Sequence, residues 1–141
     1  MTSNDRLRIG IIGIGWYAAL RHVPSFRDTG RAEIIAISRR NPDRLALAKQ
    51  ELNVAAAYTD WQQMLEQTAL DAVVICTPNN LHAAPAIAAL ERGLHVLVEK
   101  PMTLTSQSAQ AMIQAAQQAQ RVLMVGYNAR GWRVGGPPSK R

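Results

Sequence analysis

The sequence predicts a doubly wound α/β fold, a parallel sheet of buried strands with helices on both faces. Three observations predict it. Short continuous apolar runs recur at Ile9 to Ile12, Ile34 to Ile37, Ala72 to Cys76, His95 to Val98 and Val122 to Val125, the pattern of strands covered on both sides. Between them lie segments with apolar groups at helical spacing, such as Leu45, Ala48 and Leu52, or Ala109, Met112, Ile113 and Ala116. A glycine-rich turn follows the first run, at Gly13-Ile14-Gly15-Trp16-Tyr17-Ala18. Alternating strands and helices on short connections imply one parallel sheet with right-handed crossovers. At 141 residues the chain fits one domain and can bury roughly two thirds of the surface its unfolded form exposes.

Taken in order, Leu7 to Ile12 is the first strand. The helix after the glycine turn is expected to be short and then to kink, because Pro24 would break a ladder running from Tyr17 to Asp28. Asn41 followed by Pro42 is an N-cap and first-turn pair for the next helix. Tyr58 to Gln67 reads as an edge strand and a short helix beginning near Asp60. Gly93 after Arg92 is a helix stop before the strand at His95. From Gly131 onward Gly135, Gly136, Pro137 and Pro138 punctuate a stretch without apolar periodicity, which is expected to be a disordered end. The expected division is therefore one α/β unit over 1–130 and a tail over 131–141.

Gly13, Gly15 and Ala18 stand in the G-x-G-x-x-G/A arrangement directly after a strand. The first glycine permits a tight turn, the second lets backbone approach a pyrophosphate, and the small third residue lets helix and strand pack closely. Phosphates then sit at the positive end of the following helix. The turn as a whole, with Trp16 and Tyr17, is thus a candidate site for a nicotinamide dinucleotide on a Rossmann domain. An acidic side chain that takes the adenosine ribose hydroxyls is expected roughly 20 residues on. Here Ser38-Arg39-Arg40 stands instead. A hydroxyl and two guanidiniums can donate charge-assisted hydrogen bonds to a 2′-phosphate that a carboxylate would repel, so NADP is favoured, with NAD as the alternative. The alternative is that one or both arginines merely cap a solvated loop. Asp43, the nearest carboxylate, falls in the next helix's first turn, where it serves the helix dipole.

Composition narrows the alternatives. Of the formal charge of +6, four positive charges (Arg130, Arg133, Lys140 and Arg141) lie in the last twelve residues without an acidic partner, leaving +2 for the rest. No basic face interleaved with aromatics is visible in the body of the chain, so a nucleic-acid partner is not expected. Cys76 is the single cysteine and reads as a small buried residue at a strand end. The histidines His22, His82 and His95 do not cluster with it at metal-ligand spacing, so no metal is expected. Met1 to Arg8 is polar and charged, so neither a signal peptide nor a membrane span is expected and the cytoplasm is the expected compartment.

Two further stretches carry a family resemblance. Cys76-Thr77-Pro78-Asn79-Asn80-Leu81-His82 follows one strand, and Gly93 to Val98 leads into Glu99-Lys100-Pro101. With the glycine turn, they resemble the N-terminal domain of the Gfo/Idh/MocA oxidoreductases, the glucose-fructose oxidoreductase and inositol dehydrogenase family, over about residues 6–130. The resemblance implies that Thr77, Pro78, Asn79 and His82 line the ribose and nicotinamide side of the cofactor. It implies that Glu99 contacts the nicotinamide ribose and that Lys100 reaches both cofactor and substrate, a sugar, a polyol or a related carbonyl. The chemistry of Lys100 agrees, since hydride transfer from a carbinol needs the hydroxyl proton removed and an ammonium group can hold the oxygen and share the relay. Lys100 is therefore the candidate catalytic residue, with Pro101 aiming it, against the alternative of a surface lysine at a strand end. His82 could equally be a capping side chain.

Gly126-Tyr127-Asn128-Ala129-Arg130 also matches the family, in which a second α/β domain follows with the substrate pocket, a catalytic aspartate and histidine, and the oligomer contacts. Gly131 to Arg141 resembles no part of such a domain. The expectation is a truncated or frameshifted chain, without those oligomer contacts, that binds nucleotide but lacks its catalytic partner domain. The alternative is a non-catalytic dinucleotide-binding module, because a site open on one side cannot exclude water or orient a substrate.

Overall fold

The computed structural model describes residues 5–127; the expectations for Asn128 to Arg141 lie outside them. The strands are β1 (Leu7–Ile12), β2 (Ala32–Ser38), β3 (Ala56–Tyr58), β4 (Ala72–Ile75), β5 (His95–Glu99) and β6 (Leu123–Gly126). They form one parallel sheet in the order β3-β2-β1-β4-β5-β6. This is the doubly wound Rossmann order, in which the chain reverses direction across the sheet between β1 and β4. The registers bring the carboxyl ends level: Ile12 lies opposite Ser38 on one side and Ile75 on the other, and Ile75 lies opposite Val98. The glycine turn, the Cys76-Thr77 loop and the Glu99-Lys100 turn therefore leave the sheet along one edge.

Alternation along the strands divides the core into two layers. Ile9, Ile11, Ile34 and Ile37 pack with Ala18, Val23 and Leu45 on the face covered by α1 (Val23–Asp28) and α2 (Pro42–Leu52). Ile12, Val73, Ile75, Val96 and Val98 pack on the opposite face, under α3 (Trp61–Gln67), α4 (Ala83–Glu91) and α5 (Ser106–Ala119). Each fully buried aliphatic side chain in these layers contributes about 1.5–3 kcal/mol of transfer free energy. The first face thins out beyond β4, where Leu97 is half-buried and Met124 is 52 % exposed. Among the described residues no helix is long and apolar enough to cross a membrane.

The caps explain where the helices begin. Asn41 accepts a hydrogen bond from the Arg44 N–H at 3.0 Å and Asp60 from the Gln62 N–H at 2.9 Å, while Thr105 caps α5 through the Ser108 N–H. Such caps are each worth about 1 kcal/mol. Gly93, at φ +80°, ends the turn after α4 as its position suggests. At the opposite, amino-terminal edge of the sheet, Arg8 grips Asp71 through Nε and Nη2 at 3.1 and 2.9 Å. That paired guanidinium holds the Asp71 carboxyl below the usual carboxylate range.

Three elements differ from expectation. Pro24 does not end its helix: the backbone is helical from Trp16 onward and passes through a π-helical turn, Ala18–His22, straight into α1. In that wide turn Val23 donates to the Ala18 carbonyl five residues back. Pro24 follows at once, at the point where the ladder passes from five-residue back to four-residue spacing, so its missing N–H falls at an irregularity that is already present. The edge strand begins at Ala56, before Tyr58. On α5 the buried stripe is Met112, Ala115 and Ala116, and Ile113, expected inward, is 45 % exposed. Met112 and Ala116 are one turn apart, and Ala115 completes their stripe, which rotates Ile113 off the core.

Candidate binding site at the carboxyl edge of the sheet

Gly13 is packed on two sides. Its N–H and that of Ile14 donate to the Ser38 carbonyl at 3.0 and 2.9 Å, which ties the turn to the end of β2. A Cβ on Gly13 would fall 2.7 Å from the Thr77 nitrogen and 2.9 Å from the Cys76 carbonyl carbon, and its φ is +86°. The turn is therefore wedged between β2 and β4 in a conformation that favours glycine. Gly15 is the opposite case: a Cβ there would meet nothing within 4 Å. Ala18, the third small residue, is fully buried against β1. The three positions thus separate into one for the turn, one for open space and one for helix packing.

The open space is a cavity of about 380 Å³ in the crevice where the strand order reverses. It brings together Gly13, Gly15, Ser38, Arg39, Arg40, Thr77 and Pro78 from the sequence analysis. Arg39 is oriented by Nη1 donating to the Ile14 carbonyl at 3.2 Å, and Arg40 beside it is exposed. The lining contains two guanidiniums and no carboxylate. Ile12, Ile14 and Cys76 also line it, and Thr59, Trp61, Asn80, Leu81, Ala84 and Pro85, given no site role from the sequence, complete the wall. Trp61 and Pro85 supply flat apolar surface suited to a heteroaromatic ring. Their signal was positional, since Thr59 and Trp61 follow a strand end and Pro85 stands in the first turn of the helix after another.

The remaining candidates lie farther along the same edge or behind it. Trp16 is 75 % exposed beside the glycine turn, with Tyr17 packed against it edge-on at 5.7 Å. Asn79 is exposed at the start of the turn Asn79–Leu81. His82 lies outside the cavity lining, 1 % exposed, with Nε2 2.8 Å from the Thr77 carbonyl and Nδ1 2.9 Å from the Pro101 carbonyl. Both ring nitrogens are thus within hydrogen-bond distance of a loop carbonyl. Glu99 ends β5 beyond the cavity, and Lys100 is exposed, with no hydrogen bond or ion pair from its ammonium group among the described residues. Glu99 meets a partner the sequence did not single out, His22, whose Nε2 lies 2.5 Å from Oε1.

Cys76, in the cavity wall, is held in its thiol form. Burial and then the Glu99 carboxylate push its pKa up to about 12. The folded chain is expected to react with a thiol-specific disulfide reagent at pH 8 far more slowly than the unfolded chain, by at least about a hundredfold, because the thiolate is the reacting species. Equal rates in the two states would contradict this environment.

Comparison with known proteins follows the same residues. A family model described as "Oxidoreductase family, NAD-binding Rossmann fold" matches residues 7–127. The myo-inositol 2-dehydrogenase of Thermotoga maritima is 34 % identical over 124 residues, which cover 88 % of this chain and 37 % of the relative. A D-xylose 1-dehydrogenase (NADP(+)) of Haloferax volcanii is 34 % identical over 84 % of this chain and 36 % of its own length. Among solved structures, the WlbA dehydrogenase of Chromobacterium violaceum in complex with NADH and UDP-GlcNAcA superposes with a TM-score of 0.83 at 30 % identity. It is matched over 92 % of this chain and 37 % of that one. The chain therefore spans little more than a third of the length of these relatives.

Proposed function

This chain belongs to the Gfo/Idh/MocA oxidoreductase family through its NAD-binding Rossmann domain, and we propose that it binds NADP in preference to NAD as the cofactor half of an oxidoreductase acting on a sugar, polyol or related carbonyl. The observation that carries the cofactor choice is the cavity wall, in which Ser38, Arg39 and Arg40 stand where a carboxylate would select ribose hydroxyls. Relatives are described with NADH and with NADP(+), so family membership leaves the choice to these local residues. The rest of the wall fits a dinucleotide. Gly15 leaves room for a pyrophosphate, the first N–H groups of the helical segment after it have no acceptor within the helix, and Trp61 offers a face to the adenine.

In this reading the strand order lays the adenosine end over β2 and the nicotinamide end toward β5. A bound nicotinamide supplies or accepts the hydride. Thr77, Pro78 and Asn79 flank its ribose, Glu99 accepts from the ribose hydroxyls, and Lys100 holds the reacting oxygen of the substrate and its proton. Residues 1–130 form the nucleotide-binding unit, and the substrate wall comes from a second domain.

The test is calorimetric titration of the chain with NADPH and NADH, repeated on Arg39→Ala/Arg40→Ala. NADPH is expected to bind at least about tenfold tighter, the worth of one or two charge-assisted hydrogen bonds. The double variant should bring the two cofactors close to parity, mostly by weakening NADPH. A wild-type preference for NADH would sink the NADP assignment.

A further inference from the structure

The Glu99-Lys100-Pro101 turn is held from opposite sides by two histidines outside the cavity lining. From the face of α1, His22 brings Nε2 to 2.5 Å from Glu99 Oε1, with both side chains more than four-fifths buried. From the face of α4, His82 ties the Pro101 carbonyl to the Thr77 carbonyl. His22 is itself fixed by aromatic neighbours, with Tyr17 edge-on at 5.6 Å and Phe26 stacked at 6.4 Å. Its direction also depends on the π-helical turn Ala18–His22. One inserted residue turns a helix face by about 100°, so a regular α-helix through this segment would aim His22 away from β5.

We propose that His22 is a positioning residue for Glu99 and that, with His82, it clamps the turn in the geometry that receives the nicotinamide half of the dinucleotide. The proposal rests on the nucleotide reading of the site given above. Occupying Oε1 with His22 leaves Oε2 to accept from a ribose hydroxyl. It also removes in advance the rotamer freedom that a free glutamate would lose on binding. The π-helical turn thereby links the glycine-turn helix, which meets the phosphates, to the turn that meets the other end of the same molecule.

The experiment compares two ligands on the 141-residue chain. One is whichever of NADPH or NADH binds tighter; the other is the matching fragment without nicotinamide riboside, 2′-phospho-ADP or ADP. His22→Leu is expected to weaken the dinucleotide about tenfold, the scale of one hydrogen bond to a charged group, and to leave the fragment within about twofold. His22→Gln, whose amide can still donate to Glu99, should recover most of the loss. Glu99→Ala should reproduce the selective loss, and adding His22→Leu to it should change nothing further, as expected for residues that act through one another. The proposal is overturned if folded His22→Leu binds the dinucleotide like wild type, if it weakens both ligands equally, or if its effect adds in full to that of Glu99→Ala. Wild-type chain that binds neither ligand overturns the nucleotide reading and the clamp with it. Wild-type binding of both with an indifferent His22→Leu overturns the clamp alone.

Discussion

Gly13→Ala is expected to lower the thermal midpoint of the chain by about 10 °C or more and to abolish nucleotide binding at temperatures where the wild type is folded. The added Cβ would sit 2.7 Å from the Thr77 nitrogen and 3.0 Å from the Cys76 carbonyl oxygen, both backbone atoms that no rotamer change can move. The residue would also keep a φ of +86°. Left-handed backbone costs a non-glycine residue about 1–2 kcal/mol and overpacking costs about 1–3 kcal/mol more. Together these are a large part of the stability of an ordinary domain, about 5–15 kcal/mol, and about 3 kcal/mol corresponds to a midpoint shift of this size. Relief would require β4 to move from β1, which opens the crevice that forms the site. Calorimetric unfolding of the variant measures the effect, and a midpoint within 2 °C or so of wild type would show that the turn is not wedged as described.

Gly15→Val is expected to do the reverse, leaving the fold intact while removing the ligand. Nothing stands within 4 Å of a Cβ at this position, so the unfolding midpoint should match wild type, as for an exposed substitution worth under about 0.5 kcal/mol. The new methyl groups would stand where backbone must approach a pyrophosphate. A steric cost of about 1–3 kcal/mol to the bound state corresponds to a loss of roughly ten- to a hundredfold in affinity. Undiminished binding by this variant would place the phosphates elsewhere. Two glycines of one turn thus carry separable jobs, and the pair of variants tells them apart by stability against affinity.

Much of this was legible in the sequence because the strongest local signals act without tertiary help. Val73, Val74 and Ile75 are buried on both faces of the sheet, so their run is apolar without interruption. Asn41 and Asp60 cap their helices with their own side chains. Gly13, Gly15 and Ala18 were readable as a set, since each spacing follows from backbone geometry after a strand. The misses come from tertiary context. Pro24 predicted a break, yet a wide turn upstream absorbs its missing N–H, and nothing in the local sequence distinguishes those outcomes. Ile113 was assigned inward by hydrophobicity, but the buried stripe of α5 runs through Met112 and the small Ala115 and Ala116 instead. Trp61 reaches the cavity only because β3 pairs with β2, a non-local fact.

His22 shows the same limit at the site. Its partner is 77 positions away in the chain, and only the strand order brings the helix after β1 beside the end of β5. His82, by contrast, was visible as a candidate from the stretch around Thr77. The structure places its ring behind the cavity wall, where it joins two loops.

The most direct test of the central claim, that the crevice between the glycine turn and the Thr77 loop holds a nicotinamide dinucleotide, is a two-dimensional amide NMR titration of the chain with NADPH. Saturable shifts concentrated at Gly13, Gly15, Arg39, Thr77 and the Trp61 indole are the predicted result. Saturation without movement at the glycine turn, or no saturable shift at all, would contradict it.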